Sequence, residues 1–212
     1  MYISVDNKKQ IDNWLLYFTR TVQKKTLKII CWKRITQLLL WKTFTMATIT
    51  LGGTPVDTLG ELPSVGEQIK NVNLTQSDLQ EIRLHEYLGQ SLVLNIFPSI
   101  DTGICATSTR KFNEAAAALE NTKILCISRD LPFAQARFCA AEGIEQVLLL
   151  SDFRTLEFGK EFGVEMINGN FKGLLARAVI VVNPEGQVVY TELVPEVGQE
   201  PNYAEALAAC KA

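Results

Sequence analysis

The chain has 212 residues, 47% of them apolar and 21% charged, the proportions of a globular protein that can bury a sizeable core. Its formal net charge of −2 hides a split: residues 1–45 carry nine Lys/Arg against Asp6 and Asp12, whereas residues 46–212 carry twelve basic against twenty-one acidic residues. An acidic body argues against a phosphate-backbone binder, and no apolar run approaches the roughly 20 residues needed to span a bilayer.

In chain order, Ile11, Leu15, Phe18 and Val22 fall at helical spacing among scattered lysines. The apolar runs of this segment are too short for a secretion signal, and no small-residue cleavage pattern follows. A basic amphipathic helix for targeting or for a membrane surface is one reading of it. Composition changes abruptly at Met46, which opens "MATITLGGTPVDTLG". The expectation is therefore a basic extension over residues 1–45, either upstream sequence read from an early start codon or a disordered or helical tail. Residues 46–212 are expected to form one domain.

"TITLGG-TPV" alternates β-branched residues around Gly52-Gly53 and reads as a hairpin. The stretch from Gly66 to Gln90 is mixed, with one clear alternation at Ile82 and Leu84 before the Leu88-Gly89 turn. "SLVLNIF" at residues 91–97 is a continuous apolar run, as a strand buried on both faces requires. Phe112, Ala115, Ala116 and Leu119 then mark one face of a helix. "KILCIS" at 123–128 is a second buried strand. Asp130 can cap the next helix, with Pro132 near its first position and Gly143 at its end. "QVLLLS" at 146–151 precedes a helix around Leu156 to Phe162. "ARAVIVV" at 176–182, Asn183-Pro184-Glu185-Gly186 and "QVVYTEL" form a hairpin, and Asn202 to Lys211 an Ala-rich helix. The order β-α-β-α-β-α-β-β-α implies a mixed sheet with helices on both faces, the α/β class.

Five cysteines stand at positions 31, 105, 126, 139 and 210, with no CxxC pair and with His85 as the single histidine. That set fits neither a metal site nor a disulfide-stapled scaffold. A reducing cytosol with one or two working thiols fits it better. Cys105 follows the first buried strand and sits in the first turn of a helix, where backbone N–H groups and the helix dipole favour an anion. The alternative is inert packing. Thr102 can turn its hydroxyl toward that sulfur or simply cap the helix, and Pro98 ends the strand and can wall off the site. Cys126, inside an apolar strand, reads as core. Cys31 and Cys210 carry no signal, and His85 reads as a solvated side chain.

"PSIDTGIC" resembles the PxxxTxxC signature of the peroxiredoxins. "SRDLPFAQARFC" and "GLLARAVIVV" resemble segments of the bacterial thiol peroxidase branch of that family, and the similarity runs from about Thr48 to the C-terminus. The resemblance implies a thioredoxin fold in which Cys105 is the peroxidatic cysteine and Pro98, Thr102 and Arg177 complete the active-site set. It also implies that Cys139 is the resolving cysteine, forming an intramolecular disulfide with Cys105. A hydroperoxide substrate, thioredoxin as reductant, a homodimer and no organic cofactor or metal follow from the same resemblance. Cys139 lies near the C-terminal end of its helix, where the dipole disfavours a thiolate but the last turn frays readily. Arg177, taken alone, could equally be a solvated strand-end residue.

A general estimate shows where the catalytic power must come from. Lowering a thiol pKa from about 8.5 to about 6 raises its thiolate fraction at pH 7 roughly thirtyfold. The accompanying loss of nucleophilicity, with a Brønsted slope near 0.4–0.5, returns roughly tenfold of that. The larger contribution must be stabilisation of the leaving oxygen as the O–O bond breaks, for which Arg177 with its rigid donor fork is the candidate. Two rivals remain. A thiol–disulfide oxidoreductase needs a CxxC, which is Thr102-Gly-Ile-Cys105 here. A redox-sensing module needs both thiols but no fast turnover.

Overall fold

The computed structural model describes residues 45–210. The basic extension expected over residues 1–45 lies, but for its last residue, outside them, as does Cys31.

The N-terminal hairpin is present. β1 (Thr48–Leu51) and β2 (Thr54–Asp57) pair antiparallel and form a sheet of their own. Gly52 and Gly53 turn the corner at φ 59 and 77, the two positive values that a tight type I′ turn demands and that glycine supplies without strain. Thr50 N–H donates to Pro195 O at 2.7 Å and Val197 N–H to Thr50 O at 2.8 Å, so the hairpin grips a loop from the far end of the chain.

The main sheet has seven strands in the order β4-β3-β7-β6-β5-β8-β9. These are β3 (Asn73–Thr75), β4 (Glu81–Arg83), β5 (Ser91–Ile96), β6 (Thr122–Ser128), β7 (Leu148–Ser151), β8 (Ala178–Val182) and β9 (Val188–Leu193). β5, β6 and β7 run parallel, while β8 lies antiparallel to β5 and β9 antiparallel to β8. With the crossover helices this is the thioredoxin-fold arrangement.

β5 shows why its sequence is a continuous apolar run. Leu92, Leu94 and Ile96 face one hydrophobic cluster, and Val93 faces another on the opposite side. Each such side chain taken fully out of water contributes about 1.5–3 kcal/mol. On one face lie α1 (Gly103–Ala116), α2 (Pro132–Glu142) and α4 (Tyr203–Ala209), which supply Phe112, Phe138 and Ala206 to that cluster. The other face is covered by α3 (Glu157–Glu161) and a 3-10 turn at Leu84–Tyr87, through Phe158 and Leu84. The mixed stretch from Gly66 to Gln90 holds β3 and β4, with Leu74 opposite Ile82. Three-residue strands are too short to print a period on the sequence. His85, expected to be solvated, is exposed but ties its Nε2 to Ile69 O at 2.8 Å.

Candidate active site

The site begins where β5 runs out. Phe97 N–H still donates to Ile127 O at 3.1 Å, but buried Pro98 has no N–H to give, and the chain leaves the sheet there. Five residues later it enters α1 with Thr102 as N-cap, so Cys105 is the third helical residue, among backbone N–H groups that precede the first helical bonds.

Two side chains reach its sulfur. Thr102 Oγ1 lies 2.8 Å from Cys105 Sγ and 2.9 Å from Ser99 O, and makes no cap bond to the helix. Of the two roles open to this threonine in the sequence, the structure gives it the one toward the sulfur. Its single proton serves one partner at a time. Beside a thiol, the S–H donates to Thr102 and the hydroxyl to Ser99 O. Beside a thiolate, the hydroxyl turns to the sulfur. Arg177 stands just before β8 and is 2% exposed, not a solvated strand-end residue. Its Nη2 donates to Cys105 Sγ at 3.4 Å and its Nε to Val197 O at 2.9 Å. Its Nη1 is buried without an acceptor among the described residues.

The loop that presents Val197 O is itself anchored. Glu196 accepts from Thr50 Oγ1 at 2.8 Å and from the N–H groups of Gly52, Gly53 and Gly198 at 3.0, 3.1 and 3.0 Å. The Gly198 and Gly53 amides, then the Thr50 hydroxyl and Gly52, hold its carboxyl at about 2. A carboxyl lowered on folding stabilises fully above the ordinary carboxylate range and loses that contribution only as pH falls toward that value. The N-terminal hairpin thus helps aim the guanidinium.

The position of Cys105 at a helix start does not leave its sulfur open: Cys105 is 0% exposed. The first turn of α1 packs down onto Val93, Phe97, Phe112 and Val179, which closes over the thiol. The closure is shallow, since Thr102 and Ile104 are partly exposed and Gly103 is exposed. Alongside, the Tyr203 ring packs edge-on against Phe112 at 5.2 Å, and Glu200 accepts from Tyr203 and Lys111, each at 2.7 Å. Lys111, ahead of the other contacts, holds Glu200 below the usual carboxylate range, and burial, then Glu200, pushes the Tyr203 phenol up.

Cys139 is half-buried against the same hydrophobic cluster as Cys105, and both are free thiols. Burial pushes its thiol up, the direction of a poor first nucleophile. Its carbonyl accepts from Ile144 at 3.1 Å and from Gly143, whose φ of 64 ends α2 in the left-handed cap that the sequence signals. α2 is tied to the Cys105 side by Arg110–Glu142 at 2.8 Å and Asp101–Arg137 at 3.1 Å. Exposed pairs of this kind are worth about 0.2–1 kcal/mol each, a light fastening for a helix end. Cys126 is core: it is 0% exposed, and burial raises its thiol to about 12.

Three elements of the site leave no legible signal in the sequence. Val197 acts through a backbone carbonyl, which any residue carries. Glu196 offers only a carboxylate near a glycine turn 143 residues away. Asp130 looked like a helix cap, but Leu131 holds the cap position, and the Asp130 carboxylate points to the loop before Cys105. No group of three or more His, Cys, Asp or Glu side chains among the described residues is placed to hold a metal ion.

Comparison with known proteins places the chain in a family. Residues 64–207 match the family model described as Redoxin. The chain is 55% identical over 164 residues to a thiol peroxidase of Corynebacterium glutamicum, covering 77% of this chain and 99% of that protein. It is 54% identical over 164 residues to a thiol peroxidase of Mycobacterium tuberculosis, covering 77% and 98%. Among solved structures, a peroxiredoxin-like protein from Aquifex aeolicus superposes with a TM-score of 0.74 at 41% identity, over 78% of this chain and 97% of that one. A thiol peroxidase from Chromobacterium violaceum, at 18% identity and TM-score 0.72 over 77% and 95%, shares the fold. Since the Redoxin model spans more than half of the chain and the Corynebacterium relative is matched over nearly its whole length, the chain belongs to the Redoxin family, in the thiol peroxidase branch of the peroxiredoxins.

Proposed function

We propose that the chain is a thiol-dependent peroxidase that reduces hydrogen peroxide and organic hydroperoxides at Cys105. The observation that carries this is the buried Nη1 of Arg177, with no acceptor among the described residues, on the same guanidinium whose Nη2 meets the sulfur. A buried donor left unmatched costs about 1–3 kcal/mol. An oxygen of a peroxide lying beside the sulfur is an acceptor that relieves that cost, and it gains most as the O–O bond breaks and negative charge gathers on the leaving oxygen. Preset donors aimed at developing charge are worth about a hundredfold to a thousandfold each.

The Cys105 thiolate attacks one peroxide oxygen. An S–O bond forms, the O–O bond breaks, and the other oxygen leaves as an alcohol or water after taking a proton, so the sulfur is oxidised to a sulfenic acid. Cys139 then attacks that sulfur through its own, releasing water and forming the Cys105–Cys139 disulfide. The Cys105 turn and the end of α2 must both open for this, and opening removes the burial that raises the Cys139 thiol. A small dithiol protein reduces the disulfide by exchange, becoming a disulfide itself. Thioredoxin as that dithiol, a homodimeric state and a cytoplasmic setting belong to the proposal and rest on the family.

Cys139→Ser is expected to consume about one equivalent of peroxide at close to the native rate and then stall, because the sulfenic acid has no partner to condense with. A stopped-flow trace with limiting enzyme reads both the burst and the plateau. Coupled turnover with thioredoxin, its reductase and NADPH tests the whole cycle and separates it from the redox-sensing alternative. A peroxidase consumes NADPH over many turnovers, whereas a sensor stops after a single oxidation.

A further inference from the structure

We propose that Asp130 is a positioning residue for the peroxide step, holding the loop before α1 so that the Thr102 hydroxyl faces the Cys105 sulfur. The inference rests on the peroxidase reading above.

Three donors converge on this one carboxylate. Oδ1 accepts from Ser99 Oγ at 2.7 Å, and Oδ2 accepts from Ile100 N–H and from Ser128 Oγ, each at 2.7 Å. Ser99 and Ile100 belong to the loop between β5 and α1, whereas Ser128 closes β6. Ser99 passes the constraint on, since its carbonyl accepts from Thr102 N–H at 3.1 Å and from Thr102 Oγ1 at 2.9 Å. The next contact is Thr102 Oγ1 to Cys105 Sγ at 2.8 Å. A loop that has left the sheet at Pro98 is thereby fastened back to it, because β6 is paired along its length with β5. Ser128 is held in turn by Gln135 Nε2 of α2 at 3.1 Å. An ionised carboxylate is the side chain for this place: it only accepts, offers lone pairs in two directions, and makes shorter and stronger bonds than a neutral amide. Asp130 touches no reacting atom. It acts through Thr102, whose hydroxyl must present the right face to sulfur and peroxide, and a displacement of about 1 Å at such a contact can cost about a hundredfold in rate.

Asparagine can rescue this arrangement in one orientation. Its carbonyl oxygen at the Oδ2 place keeps the Ile100 amide and Ser128, and its NH2 group meets the Ser99 hydroxyl, which can rotate to accept. Alanine leaves all three donors unmatched. The test uses the full chain with Cys139→Ser as background, following Cys105 oxidation by hydrogen peroxide and, separately, its alkylation by iodoacetamide, a reaction with no O–O bond to orient. Asp130→Ala should lower the peroxide rate at least about thirtyfold while alkylation stays within about threefold, and Asp130→Asn should recover to within about fivefold of the parent. Ser99→Ala and Ser128→Ala guard against a folding failure, since each removes one hydroxyl from the same carboxylate. Only Ser99→Ala, which loosens the loop, should slow the peroxide reaction, by about threefold or more. Peroxide and alkylation rates that fall together in Asp130→Ala, or equal effects of the two serine variants, would overturn the role. A parent that reacts with peroxide no faster than a free thiol would overturn the peroxidase reading itself.

Discussion

Cys105→Ser is expected to end peroxide turnover, lowering the rate at least about a thousandfold. A serine hydroxyl in this place is not ionised at neutral pH, and neither side chain that reaches the sulfur can serve as base: Thr102 is a hydroxyl and Arg177 a guanidinium. Neither Cys126 nor Cys139 can stand in. Cys126 is sealed in the core with its thiol raised to about 12, and Cys139 is raised by burial and lies near the C-terminal end of its helix. The fold should survive, because oxygen for sulfur is a small change and the hydroxyl keeps Thr102 as partner. Thioredoxin-coupled NADPH consumption reads the loss, and the circular dichroism spectrum and thermal midpoint read the fold. A folded Cys105→Ser protein that still turns over peroxide would remove the assignment.

Arg177→Lys is expected to cost about a hundredfold to a thousandfold in the rate of Cys105 oxidation, or about 2.7–4 kcal/mol of transition-state stabilisation. The charge is kept, so a mere counter-ion role predicts a small effect. What is lost is the planar fork. The guanidinium reaches Val197 O with Nε and the sulfur with Nη2, and still holds Nη1 free for a third partner. An ammonium at the end of a flexible stem cannot hold those directions at once. Burial also works against lysine, whose charged form is disfavoured out of water. Alkylation of Cys105 by iodoacetamide separates the effects, since it needs the thiolate but no stabilised leaving oxygen. Peroxide reactivity should therefore fall much further than alkylation, and near-native peroxide reactivity would contradict directed hydrogen bonding by Arg177.

What could be read in the sequence followed from how local the cause was. The Gly52-Gly53 turn, the apolar runs of β5, β6 and β8 and the Gly143 helix stop each depend on a few neighbouring residues, and each is in place. The same holds for Cys105 in the first turn after β5. Arg177 beside that sulfur became visible only through the resemblance, because 72 residues separate the two and no period connects them. What stayed hidden was contact between distant segments. Asp130 has the composition of a cap beside Pro132, yet its carboxylate is claimed by donors near Cys105, where a loop without ladder partners needs acceptors more than the helix does. The burial of Cys105 was hidden for a related reason. Whether a helix end lies open depends on the packing of Phe97, Phe112 and Val179 beneath it, which come from the loop after β5, from two turns further along α1 and from β8.

In the proposed chemistry the buried Cys105 and the half-buried Cys139 come together by local opening of the Cys105 turn and of the end of α2. The most direct measurement is the intact mass of the reduced protein after one equivalent of hydrogen peroxide, followed by peptide mapping. The proposed chemistry predicts a loss of about two mass units, with the cross-link between the peptides of Cys105 and Cys139. A lasting gain of about sixteen mass units, or a cross-link that leaves Cys105 reduced, would contradict it.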